Sequence, residues 1–249
     1  MTTALEVRGL TVGFGGLLAV DDVSFTLGSE AIMGLIGPNG AGKTTTIDAL
    51  CGFVPASTGS IALDGRRLDG MKPHARARAG LVRTFQSIEL FDDLTVRENL
   101  LVAATRPRWF SPLLDAVAPR RGARRVDLES ALEMVGLEDQ ADQLPPQLSH
   151  GQRRLAGLAR AMASQPRVLF LDEPAAGLDP AETVALGELL RALPERGIAV
   201  LLVDHDMTLV LDVCAELIVL DLGRVIASGP VEVVRRDPAV VEAYLGSVT

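Results

Sequence analysis

The stretch GPNGAGKTTT, residues 37–46, constrains this chain more than any other. Gly37, four intervening residues, then Gly42, Lys43 and Thr44 fit the pattern G-x-x-x-x-G-K-[ST]. Glycines let backbone N–H groups come close to a phosphate. Lys43 can reach the outer phosphate oxygens, and the Thr44 hydroxyl suits Mg²⁺. The flanks decide whether such a motif is more than a turn. Before it, AIMGLI (Ala31–Ile36) reads as a short buried strand. After it, TTIDALCGF places Ile47 and Leu50 on one helix face, with Gly52 near the helix end. Strand, Gly-rich loop and helix together aim a helix N-terminus at an anion.

With 249 residues, 48% of them apolar, the chain predicts a packed globular core, either one large domain or a core with a subdomain. A net charge of −8 and a pI near 5.0 argue against a nucleic-acid partner, which calls for a basic surface. Cys51 and Cys214 lie far apart in apolar stretches, so buried free thiols are expected rather than a disulfide or metal site. The start MTTALEVRG lacks the charged-then-apolar pattern of a signal peptide. The longest apolar runs, such as Ile198–Val203, are too short to span a bilayer. A soluble intracellular chain is expected, with other chains supplying any membrane part.

Leu5–Phe14 and Leu17–Leu27 are β-like and flank Gly15 and Gly16, which predicts a hairpin. Gly59–Leu68 predicts a further strand with an Asp-Gly turn. From about Leu94 to Arg160 the pattern is helical, and Thr95 with Glu98 forms a capping-box signature. Arg106–Arg125, rich in Arg and Pro, reads as a solvated loop or helix face in preference to a basic docking surface. VLFLDEP, IAVLLVDHD and ELIVLDLG are apolar runs alternating with helical patterns. They predict a parallel sheet covered on both faces, with ligands at the carboxyl ends of its strands. Gly223–Gly229 reads as a return strand.

The polar residues gather at those strand ends. Asp172 suits a Mg²⁺ contact, and Glu173 is placed to activate a water for attack on a γ-phosphate. The same pair could instead be a helix N-terminal feature, because Pro174 follows. His205 could contact the transferred phosphate or hold the base; a structural histidine is the alternative. LSHGQRR (Leu148–Arg154) precedes an alanine-rich helix and offers a second helix N-terminus for phosphate.

The ordered set GPNGAGKTT, RTFQ, LSHGQ, LFLDEP, GLDP and VDHD resembles the nucleotide-binding subunits of ABC transporters, over essentially the whole chain. The resemblance implies an α/β P-loop ATPase with a mainly parallel core sheet, an N-terminal antiparallel β subdomain and an α-helical subdomain. A single domain over residues 1–249, with the helical part inserted at about 87–160, is expected. It further implies that Gly37, Pro38, Asn39, Gly40, Ala41, Gly42, Lys43, Thr44 and Thr45 form the ATP phosphate loop. Thr44, Gln86 and Asp172 would serve Mg²⁺. Glu173 is implied as general base, with Gln86 and His205 assisting catalysis. Ser149, Gly151 and Gln152 belong to a signature that acts on the ATP held by a second subunit, and Asp179 is the acid of the loop after Glu173. Phe14 falls where the family places an aromatic under adenine, and it could equally be a core residue of the hairpin. His150 stands where glycine is usual; its bulkier side chain could point to solvent and leave Ser149 and Gly151 free, so it bears on the tightness of the ATP sandwich and not on its existence.

Ala77–Ala103, Leu171–Thr183, Val203–Cys214 and Asp237–Gly246 are similar to the ATP-binding subunits of branched-chain amino-acid importers. This implies transmembrane permease partners and a second ATPase subunit, self or paralogue. It also implies an indirect substrate-binding protein, no nucleic acid, and a place at the cytoplasmic face of the membrane. Ile88, Leu90 and Phe91 are candidates for a groove that receives a permease helix; the alternative is a core role. Other readings remain open: uptake of urea, other amides or other amino acids, a lipid or lipopolysaccharide exporter, a soluble ATPase acting on DNA or ribosomes, and a non-catalytic cassette. The absence of sustained heptads between Gly42 and Leu148, the single cassette and the acidic charge count against the soluble kinds.

Overall fold

The computed structural model describes residues 2–84, 90–105 and 128–245. The chain divides into two compact units, residues 1–87 with 166–249, and residues 88–165.

The first unit opens with β1 (Thr3–Phe14) and β2 (Leu17–Gly28), the antiparallel hairpin expected around Gly15 and Gly16. On β1, Leu5, Val7, Leu10 and Val12 are all buried. A register shift between Val7 and Leu10 absorbs the extra residue, which keeps all four on the core face. β3 (Ile32–Ile36) follows, then α1 (Lys43–Cys51), which ends on Gly52. β4 (Thr58–Leu63) and β5 (Arg66–Arg67) pair across the Asp64–Gly65 turn.

α2 (Pro73–Ala79) and β6 (Leu81–Thr84) come next, and the hydrophobic pattern did not announce either. α2 contributes a buried Arg76. Its guanidinium donates to the carbonyls of Ala49 and Leu50 at 2.8 and 2.7 Å, and to Met71 O at 3.1 Å. Two of the C-terminal carbonyls of α1, a helix end whose carbonyls lack partners one turn on, thereby gain a donor.

The second unit holds α3 (Val96–Ala104), α4 (Leu128–Val135) and α5 (His150–Ala163). Thr95 and Glu98 form the expected capping box. Asn99, fully buried, donates to the carbonyls of Phe91, Leu94 and Thr95 and accepts from Phe91 N, so it fixes the loop entering α3. Gln86, Ile88 and the Arg106–Arg125 stretch lie outside the described residues.

The chain then completes the first unit with β7 (Val168–Asp172), α6 (Pro180–Ala192), β8 (Ala199–Val203), α7 (Met207–Val213), β9 (Glu216–Asp221), β10 (Arg224–Pro230), α8 (Val231–Val234) and α9 (Pro238–Leu245). Among the described residues, six strands form one sheet in the order β10-β9-β3-β8-β7-β6. All neighbours are parallel except β10, the antiparallel return strand. A separate antiparallel sheet runs β2-β1-β4-β5. Every residue of β3, β7 and β8 is buried, as a parallel sheet covered on both faces requires. β8 inserts between β3 and β7, so the carboxyl ends of these three strands lie side by side. No helix among the described residues is long and apolar enough to cross a membrane.

Candidate functional site

Gly37, directly after β3, has φ 149°, and a Cβ there would sit 2.1 Å from Leu220 O. Gly42, at φ 100°, would bring a Cβ within 2.4 Å of Ala19 O. Only glycine fits either place, so the loop is gripped by neighbouring backbone at both ends. Gly42 is also the N-cap of α1, and no side chain caps that helix. α3, α5 and α6 all carry capping boxes. The first turn of α1 therefore presents backbone N–H groups to whatever anion approaches.

Lys43 Nζ donates to Gly37 O at 2.7 Å and Pro38 O at 3.0 Å. Burial pushes its pKa down, while Glu173 and Asp172 pull it back up. Thr44 is exposed, Thr45 is half-buried, and Thr46 is buried with its hydroxyl on Gly42 O at 2.9 Å. Asn39 and Gly40 are exposed at the loop crest, between the half-buried Pro38 and the buried Ala41.

At the next strand ends, His205 Nε2 lies 3.0 Å from Glu173 Oε1. Glu173 has φ 51°, a left-handed conformation that is uncommon for any residue with a Cβ. The β7–β8 register pairs Asp172 with Val203, and Glu173 N donates to Val203 O at 2.7 Å. These backbone contacts hold the acid and the histidine together.

Two further charged residues in the same place were not singled out from sequence. Arg83, on β6, donates to Asp172 Oδ2 at 2.6 Å and pairs with Asp48 on α1. Its side chain and that of Asp172 are almost fully buried. One guanidinium thus joins three elements: the strand before Gln86, the strand ending in Asp172 and the helix after the phosphate loop. Asp204 is buried at the end of β8, where it accepts from Ala175 N and Asp206 N. A lone Arg or Asp carries no periodic signal, so only the fold makes their roles visible.

The remaining sequence candidates divide by unit. In the first, Asp179 caps α6 by accepting from Glu182 N at 2.8 Å, while Glu182 accepts from Asp179 N. Phe14 is 52% exposed, so it is not the core residue that its hairpin position allowed. In the second unit, Ser149 Oγ accepts from Gln152 N at 3.1 Å and Gln152 Oε1 accepts from Ser149 N at 2.9 Å. Ser149 and Gln152 thus form a capping box, and the Ser149 O–H keeps its capacity to donate. His150 points to solvent while Gly151 is buried. Phe91 is 49% exposed and Leu90 half-buried, so Phe91 is not a core residue of this unit.

The family model for ABC transporters matches residues 20–176, and one for branched-chain amino acid ATP-binding cassette transporters matches residues 224–248. The chain is 44% identical over 248 residues to the high-affinity branched-chain amino acid transport ATP-binding protein BraF of Pseudomonas aeruginosa, covering 97% of each. It is 43% identical over 249 residues to LivG, the corresponding protein of Escherichia coli, again covering 97% of each. Among solved structures, the ADP conformation of MJ1267, an ATP-binding cassette of an ABC transporter, superposes with a TM-score of 0.85 at 30% identity. That match covers 99% of this chain and 100% of the other. The chain belongs to the ABC transporter family, as one of its ATP-binding proteins.

Proposed function

We propose that the chain binds and hydrolyses ATP to power a membrane importer of branched-chain amino acids. The observation that carries the substrate class is the match of the C-terminal residues 224–248 to the branched-chain family model. The phosphate-binding and acidic motifs fall in the part of the chain that matches the general ABC transporter model, whereas residues 224–248 match the branched-chain model. The 43–45% identity to branched-chain transport proteins supports the same reading.

The donor set fits a nucleoside triphosphate with a hard divalent cation: an uncapped helix N-terminus, the Lys43 ammonium, the Thr44 hydroxyl and the Asp172 carboxylate. Among the described residues no cluster of three or more His, Cys, Asp or Glu makes a closed metal cage. Mg²⁺ shared with substrate phosphates needs only one or two carboxylates. When bound, Mg²⁺ supplies positive charge at the β- and γ-phosphates.

The loop Gly37–Thr45 cradles the phosphates through its backbone N–H groups. Lys43 exchanges its contacts to Gly37 O and Pro38 O for phosphate oxygens. Glu173 takes the proton of the attacking water, and His205 holds the Glu173 carboxylate in place. Gln86, outside the described residues, would serve the Mg²⁺ and the attacking water, as the family resemblance implies. Phe14, exposed at the end of β1, is available to stack on adenine.

Ser149, Gly151, Gln152 and Asp179 act in a dimer with a second ATPase subunit, self or paralogue. The compact unit of residues 88–165 supports a helical subdomain inserted at about 87–160. Its exposed Phe91 contributes to the groove for a permease helix. The permease, fed by a substrate-binding protein, places the chain at the cytoplasmic face of the membrane.

Uptake of radiolabelled leucine by host cells carrying only Glu173→Gln tests this reading. We expect uptake to fall to background, while wild-type cells accumulate leucine and unlabelled isoleucine or valine competes. Unchanged leucine uptake would overturn the substrate assignment.

A further inference from the structure

We infer that Asp204 is a positioning residue that sets the distance between Glu173 and His205. This inference rests on the assignment of Glu173 and His205 above. Asp204 is only 5% exposed, at the end of β8 and directly before His205. Its two oxygens are divided between two loops. Oδ2 accepts from Ala175 N at 3.0 Å, on the loop that leaves Glu173. Oδ1 accepts from Asp206 N at 2.9 Å, on the loop that carries His205.

The carboxylate is thus a bridge with one foot on each side of the Glu173–His205 contact. A further tie is the backbone bond from Glu173 N to Val203 O, on the strand side. With both in place, neither loop can shift without breaking a bond to a buried charge. Both partners of Asp204 are N–H donors, so the site demands an acceptor at each oxygen. An asparagine of the same shape offers one acceptor and turns an NH₂ group against an N–H. Asp204→Asn therefore releases one loop while changing almost no volume.

The prediction concerns turnover more than nucleotide affinity, because the phosphate loop is held by β3 and α1 instead. In the full-length chain, Asp204→Asn should slow single-turnover ATP hydrolysis by roughly ten- to a hundredfold, the scale of a misplacement near 1 Å. Affinity for ATP should stay within about twofold, the range in which independent sites add. A double-mutant cycle separates positioning from general weakening. If Asp204 acts through the Glu173–His205 pair, Asp204→Asn in a His205→Ala background should cost no more than about twofold further. If Asp204→Asn does not fold, Asp204→Ser, which keeps one acceptor, enters the same cycle with the same criteria.

Full additivity of the two substitutions, or a loss that appears in ATP affinity instead of turnover, would overturn the inference. Glu173→Gln is measured alongside. Should that variant hydrolyse ATP like the wild type, the assignment of the base fails. Should it be inactive while the cycle is additive, only the role of Asp204 fails.

Discussion

Glu173 sits in a backbone conformation that a side chain disfavours, with φ 51°. An L-residue held there costs about 1–2 kcal/mol. The cost is met by Glu173 N bonding to Val203 O and by the neighbouring Asp204 bridge. Glycine carries no such penalty. Glu173→Gly should therefore be more stable than Glu173→Ala by about 1 kcal/mol in chemical denaturation, with both variants inactive. Equal stability would show that the left-handed backbone is not strained. The sequence singled out Glu173 as a candidate by its place after an apolar run, but not the shape of its backbone. Positive φ is expected of glycine, and nothing in LDEP announces it. Asp204 was hidden for a related reason, since it reads as one more acid beside His205 until its two N–H donors are seen. Ser149 and Gln152 were legible as motif residues, yet their reciprocal cap is equally a capping-box pattern and could have been read as such.

At the scale of elements, the strands that carry the site were readable because they are continuous apolar runs with polar residues at one end. β3, β7 and β8 are such runs. β6 is four residues with a charged residue inside, so it gave no such signal, although it brings Arg83 to Asp172. That arginine ties β6 to β7 and to α1 through two carboxylates, with little water around it. Removing one partner of a buried pair leaves an uncompensated charge. Arg83→Met should cost about 3 kcal/mol or more, measured by urea unfolding. A loss below about 1 kcal/mol would mean that the pair behaves like an exposed one. The order of strands in the sheet was not legible either. Sequence order runs β3, β7, β8, whereas space places β8 between the other two. That crossover is what brings His205 beside Glu173.

Over the whole molecule, both cysteines are buried and free, as their apolar surroundings implied. Burial pushes the thiols of Cys51 and Cys214 up to about 12. In the unfolded chain a thiol ionises near pH 8.5. Between these values the unfolded state has lost protons that the folded state keeps. The folded state binds more protons, so stability falls as pH rises through that window, by at most about 1.4 kcal/mol per pH unit for each thiol. Unfolding free energies from pH 8 to 11 should decline more steeply for the wild type than for a Cys51→Ala, Cys214→Ala variant. Parallel curves would contradict the burial. At neutral pH the same thiols should react with a disulfide reagent only as fast as the chain opens.

The central claim is that the ends of β3, β7 and β8 form an ATP-hydrolysing site with Glu173 as its base. Single-turnover hydrolysis of labelled ATP, compared between the wild type and Glu173→Gln with ATP binding measured in parallel, tests it most directly. We predict that the variant binds ATP within about twofold of the wild type and hydrolyses it at least a hundredfold more slowly, as the loss of a general base requires. Hydrolysis at an undiminished rate in that variant would contradict the account.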